Sequence, residues 1–129
     1  MKKLISVLTI IFILLGLTAC ETVKEIPTDL TAAQLIQKGQ DAYGLGQYDT
    51  AELYYKAVIQ RYGNNTETYI EAKYELGHLY LKTKDYNSAK EAFDEILELY
   101  SYSTGGDLPA SYKKLAQIGL SKIPEDKLK

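Results

Sequence analysis

Residues 68–100 read TYIEAKYELGHLYLKTKDYNSAKEAFDEILELY, and this stretch decides the fold. Within it Leu76-Gly77-x-x-Tyr80 is followed by Ala89-x-x-x-Phe93, with Ala89 twelve positions after Gly77. The spacing predicts two antiparallel helices. A small residue on each lets their backbones approach at the close end of the usual separation of about 8–10 Å, and the bulky Tyr80 and Phe93 fill the gaps beside them. A hairpin of this kind cannot bury its apolar face alone, so it must stack on something.

Part of the answer lies upstream. The segment after Asp49, which is expected to cap its helix, carries Ala51, Tyr54, Tyr55, Val58, Ile59 and Tyr62. Only a helix presents that spacing as one stripe. A shift of 38 residues turns these into Ala89, Ala92, Phe93, Ile96, Leu97 and Tyr100, all apolar or aromatic, and carries Gly39 to Gly77 and Tyr48 to Tyr86. Before the first copy, Thr31-x-x-Gln34 has the form of a capping box, with a helix end at Gly44 to Gly46. The Gly63-Asn64-Asn65 stretch ends the second helix, and Thr66 or Thr68 begins the next. After Tyr100 come turn residues, then Asp107-Leu108-Pro109 as a cap with proline in the first turn, and a fifth helix running to about Ile123 before Pro124. Its Ala116 matches Gly77 at an interval of 39.

Self-similarity of this type is the signature of a helical repeat array, and the residues resemble the tetratricopeptide repeat, whose usual period is about 34. The resemblance covers residues 32–123 and implies an all-α array of about five antiparallel helices, two repeats plus a capping helix. The long period is similar to that of outer-membrane assembly lipoproteins (the D subunit of the barrel-assembly machine) and of the periplasmic Tol-Pal coordinator.

The first nineteen residues read as a signal peptide: Met1-Lys2-Lys3 is a positive start, and Leu4 to Leu17 a mostly apolar run. Leu17-Thr18-Ala19-Cys20 resembles the bacterial lipobox. That resemblance implies that Cys20 becomes the mature N-terminus and carries fatty acyl chains such as palmitate, each buried methylene contributing roughly 0.8 kcal/mol to membrane attachment. The alternative is a thiol at the end of an uncleaved anchor helix. Residues 20–30 are then a short tether holding a domain at 31–123 within roughly 35 Å of the bilayer, and 124–129 a charged, frayed tail. Glu21 after the lipid site favours an outer membrane, facing the periplasm, over the outer face of the cell membrane, by resemblance to lipoprotein sorting rules.

The remaining composition mostly excludes. Cys20 is the sole cysteine, so there is no intrachain disulfide, thiol catalysis or cysteine zinc site. The net charge of -2 becomes two units more negative once Lys2 and Lys3 leave, which argues against nucleic acid. No phosphate loop, His-Glu-x-x-His motif or serine elbow occurs, no cofactor or metal is implied, and a lone His78 lacks the partners acid-base chemistry needs. Asp94 and Glu95 are adjacent and point apart around their helix, the pattern of a solvated face. No enzyme is expected.

Twelve tyrosines against two phenylalanines and no tryptophan point to amphipathic rings with hydroxyls at water or at a hydrogen-bond partner. In tetratricopeptide arrays the leading helices line a concave groove. With Gly39, Gly77 and Ala116 as equivalent positions, the resemblance assigns to that groove Ile36, Gln40 and Tyr43 from the first repeat, Tyr74, His78, Leu81 and Lys82 from the second, and Lys113, Gln117 and Leu120 from the cap. The asparagines of a carboxylate clamp are absent there. The expected function is an anchored adaptor holding an envelope protein or peptide in the groove, with self-association possible because so short an array leaves terminal faces open. The competing expectation is an accessory lipoprotein that holds a small apolar molecule for a transporter.

Overall fold

The computed structural model describes residues 25–103 and 106–128. Among them the regular elements are helical: α1 (Ala32–Gly44), α2 (Tyr48–Tyr62), α3 (Thr66–Thr83), α4 (Tyr86–Tyr102) and α5 (Ala110–Ser121), with a 3-10 turn at Glu125–Lys127. Each helix packs on the next in the chain, and the leading helices also touch one another, α1 on α3 and α3 on α5. This is a stack of two hairpins with a fifth helix as lid, as the 38-residue repeat predicts.

Capping residues set most of the starts. Thr31 accepts from the Gln34 backbone N–H while the Gln34 side chain accepts from the Thr31 N–H, the reciprocal capping box. Asn65 caps α3 through the Thr68 N–H, and Asp85 caps α4 through the Ser88 N–H. The expectation for Asp49 fails. The tight turn between α1 and α2, closed by the Gln47 N–H on the Ala42 carbonyl, starts α2 two residues earlier and leaves Asp49 in its first turn, where the helix dipole still favours a carboxylate. Asp107 likewise does not cap α5: the helix begins at Ala110, and the preceding Pro109 offers its carbonyl to the Tyr100 hydroxyl.

The two hairpins share one packing device. A Cβ built on Gly39 would stand 2.4 Å from the Tyr55 ring, and one on Gly77 2.6 Å from the Phe93 ring, so in both copies the trailing helix lays an aromatic face on bare backbone of the leading helix. Tyr55 and Phe93 are fully buried, 38 residues apart. Phe93 meets a second glycine, Gly119 of α5, where a Cβ would stand 2.4 Å from the ring. The ring is therefore sandwiched between two helices, and it ties the cap to the second repeat.

That contact fixes the register of the cap. In α3 the residues turned toward the preceding repeat are Ala72, Leu76 and Leu79, and in α5 the inward line is the half-buried Tyr112 with the buried Ala116 and Gly119. The interval is 40, one more than the pairing of Ala116 with Gly77 supposes, because the connection after α4 is longer than the one after α2. One residue rotates a helix by about 100°, enough to move a side chain off the concave face.

Both ends of the domain are pinned. Of the expected tether, Ile26 and Leu30 pack against the first core cluster, the Arg61 guanidinium donates to the Ile26 and Pro27 carbonyls, and the Tyr62 hydroxyl donates to the Leu30 carbonyl. At the other end the frayed tail is not observed: Ile123 is buried, the chain makes a turn of 3-10 helix, and Leu128 returns to the cluster around Phe93. Apolar side chains at 123 and 128 outweigh the charges between them. The leader and Cys20 lie outside the described residues.

Candidate partner-binding face

The inner surface is organised by α3. Glu71, Tyr74, Glu75 and His78 follow one another at spacings of three, one and three, so they form one stripe along this helix. Tyr74 stacks on His78 with ring centroids 6.2 Å apart, and His78 lies 5.6 Å from the Tyr43 ring of α1. Tyr43 in turn packs edge-on against Tyr48 at 5.5 Å, and Tyr74 packs edge-on against Tyr112 of α5 at 5.6 Å. Five rings thus run from the first repeat across the second to the cap, each half-buried. Centroid separations of this size are those at which aromatic pairs attract, roughly 4.5–7 Å, so the strip is prearranged.

Glu75 sits in the middle of these rings. Its carboxylate accepts from the Gln40 amide at 2.8 Å, which bridges α1 to α3. Burial and then neighbouring charge, Tyr48 before Glu75, push the Tyr43 hydroxyl pKa up, and burial followed by Glu75 does the same for Tyr74. Tyr112 is pushed up to about 12 by burial and then by Glu71 and Glu75. Glu71 itself is raised, by burial first and the Glu75 charge second. The face is electronegative and partly shielded from water.

The residues assigned to the groove by resemblance separate into three groups. Gln40, Tyr43, Tyr74 and His78 are brought together. Lys82, Lys113 and Gln117 are exposed and make no hydrogen bond or ion pair with the strip. Ile36, only 6% exposed, lies in the core with Tyr54, Ala57 and Val58, and Leu81 and Leu120 are half-buried against the Phe93 cluster. Leu120 turns inward because of the shifted cap register. Tyr48, Glu71, Glu75 and Tyr112 are members of the face that the assignment did not include. The i, i+3, i+4 spacing of 71, 74, 75 and 78 is a signal for the two carboxylates, whereas Tyr112 required knowing how the cap docks.

The outer side is structural. Tyr69 donates to Glu95 at 2.6 Å and Lys73 pairs with the same oxygen at 2.7 Å, joining α3 to α4, while Tyr80 donates to Glu52 at 2.7 Å and joins α3 to α2. Among the described residues no group of His, Cys, Asp and Glu side chains is placed to hold a metal ion, and no helix is long and apolar enough to cross a membrane.

Residues 42–100 match the family model described as tetratricopeptide repeat. The stack of five helices is consistent with a tetratricopeptide array, to which the matched stretch is similar. A curated relative, an uncharacterized protein of Treponema pallidum (strain Nichols), is 31% identical over 113 residues, 88% of this chain and 45% of its own length. The chain therefore spans less than half of that relative. No solved structure matches. Tetratricopeptide arrays in general are scaffolds for protein partners, and a strip of half-buried rings is the composition of a protein-binding surface, in which aromatic residues are enriched.

Proposed function

We propose that this protein is a membrane-anchored adaptor lipoprotein. It is held on the bilayer by acyl chains on Cys20, on the outer membrane facing the periplasm, and it presents the concave strip to a protein or peptide of the envelope, with outer-membrane assembly the process that its long repeats resemble. The observation that carries the reading is the ring strip from Tyr48 to Tyr112, continuous over both repeats and the cap and backed by a rigid core. Interfaces draw their affinity from such ordered aromatic anchors. The anchoring half rests on the Leu17-Thr18-Ala19-Cys20 sequence.

Photo-crosslinking from positions 43 and 74 in intact envelopes tests the adaptor half. One dominant crosslinked protein is expected from both positions and none from position 53 on the outer side; equal capture from all three sinks the reading. Mass spectrometry of the mature protein tests the anchor, with an acylated Cys20 as its first residue the expected result. A Cys20→Ser variant that remained membrane-bound would remove the anchor from the proposal.

A further inference from the structure

The electronegative corner of the strip asks for a counter-charge. Tyr74 and Tyr112 meet with their ring planes at 62°, forming two walls. Glu71 and Glu75 stand one helical turn apart beside them, and both raise the Tyr112 hydroxyl pKa. The ion pairs among the described residues join Lys56 to Glu52, Lys73 to Glu95, Lys90 to Asp94 and Lys127 to Asp126, so none of them neutralises this corner. Beneath it, the fully buried Tyr55 brings its hydroxyl toward Glu75, the nearest acceptor, without a hydrogen bond of good geometry. A buried hydroxyl left without a partner costs about 1–3 kcal/mol. The polar groups at this spot are thus incompletely satisfied in the unbound protein.

We propose that this corner takes a basic side chain, lysine or arginine, from an extended segment of the partner protein. The cation lies over the Tyr74 and Tyr112 rings with Glu71 and Glu75 as its counter-charges. Glu71, which makes no hydrogen bond or ion pair among the described residues, supplies the first carboxylate; Glu75, oriented by Gln40, supplies the second. Cation–ring attraction and carboxylate pairing act on the same group here. A neutral or acidic segment finds two carboxylates in its way. The inference rests on the adaptor reading and names the chemistry of what the adaptor holds.

Calorimetric titration of the full chain in a neutral maltoside detergent, with tetralysine and tetraglutamate peptides as probes, tests it. Tetralysine is expected to bind with one-to-one stoichiometry and tetraglutamate not at all. Glu71→Gln/Glu75→Gln should weaken tetralysine about tenfold, while Glu91→Gln/Glu98→Gln, of equal charge change on exposed α4, should weaken it no more than about twofold. Tyr112→Phe, which keeps the ring, should bind as the parent does. Equal losses in the two double variants would reduce the effect to net charge and overturn the site. Tetramethylammonium binding as tightly as tetralysine would replace the partner segment with a small quaternary amine. Should Glu75→Gln disturb folding, Glu71→Gln alone, which breaks no hydrogen bond, carries the test with an expected loss of about threefold. If a partner is captured at positions 43 and 74 and Glu71→Gln/Glu75→Gln leaves that capture unchanged, the adaptor reading stands and the basic side chain falls.

Discussion

The two repeats are the same hairpin with different consequences at equivalent positions. In the first, the aromatic at the glycine contact is Tyr55, covered by the leading helix of the next repeat; in the second it is Phe93, covered by the cap glycine Gly119. The turn that closes the first hairpin has Gly46 at φ +74°, and the turn of the second has Lys84 at φ +64°, 38 residues on. The hydrogen bonds around them are also equivalent: Gly46 N–H to Tyr43 and Gln47 N–H to Ala42 in one, Lys84 N–H to Leu81 and Asp85 N–H to Tyr80 in the other. Tyr62 reaches back to the Leu30 carbonyl, whereas its counterpart Tyr100 reaches forward to Pro109. The backbone device is repeated, and the side chains are adjusted to what each hairpin meets: an entering chain at one end, a lid at the other, and the ring strip between.

The comparison can be broken most strongly at the two rings. Phe93→Ala is expected to destabilise the domain by about 3–5 kcal/mol and to expose α5 amides to hydrogen exchange, because the ring holds two helices. Tyr55→Ala should cost a similar amount while leaving α5 protected. Loss of α5 protection in both would show that the cap depends on global stability and not on Phe93.

Glycine substitutions come next. Gly119→Ala places a methyl group against the Phe93 ring and should cost about 1–3 kcal/mol by urea denaturation. Gly44→Ala, where a Cβ meets nothing within 4 Å, should be neutral or slightly stabilising and serves as the control.

Tyr55→Phe makes the first repeat like the second. Removing an unpartnered buried hydroxyl should raise stability by about 1 kcal/mol, read from the denaturation midpoint. A loss of stability instead would mean that the Tyr55 hydroxyl engages Glu75 in solution.

Lys84→Gly makes the second turn like the first and should stabilise by about 0.5–1 kcal/mol, since a lysine side chain opposes the left-handed backbone that glycine accepts.

The smallest effect is electrostatic. For Glu95, burial alone would raise the carboxyl pKa, but the Lys73 ammonium and the Tyr69 hydroxyl outweigh it and hold the group below its ordinary value of 4.5. A folded-state pKa below the unfolded one adds stability that is fully present above pH 4.5 and is lost as the pH falls through the lower folded value. Glu95→Gln should therefore flatten the acid limb of the stability curve measured between about pH 5 and 3.

Much of this was legible in the residues themselves. The 38-residue recurrence of small and aromatic side chains announces two like hairpins, because a glycine under a ring is a local geometric demand that survives in any sequence meeting it. Gln40, Tyr43, Tyr74 and His78 are assigned to one face by the resemblance to tetratricopeptide arrays, and the structure brings these four together because helical spacing carries each side chain to the same side. The misplacements have a common cause. Leu120 and the cap register depended on the length of a connection between helices, and Ile36 on how α1 seats against α2; neither is a property of one helix.

By itself, then, the sequence determined the helices, their pairing and the aromatic supply, since periodicity and steric fit act within one hairpin. Only the tertiary structure decided which rings meet across three helices, that two carboxylates gather at Tyr112, and that the chain is held from Ile26 to Leu128. Those outcomes turn on distances between elements remote in sequence, which are set by the balance of burial over the whole stack and written at no single position.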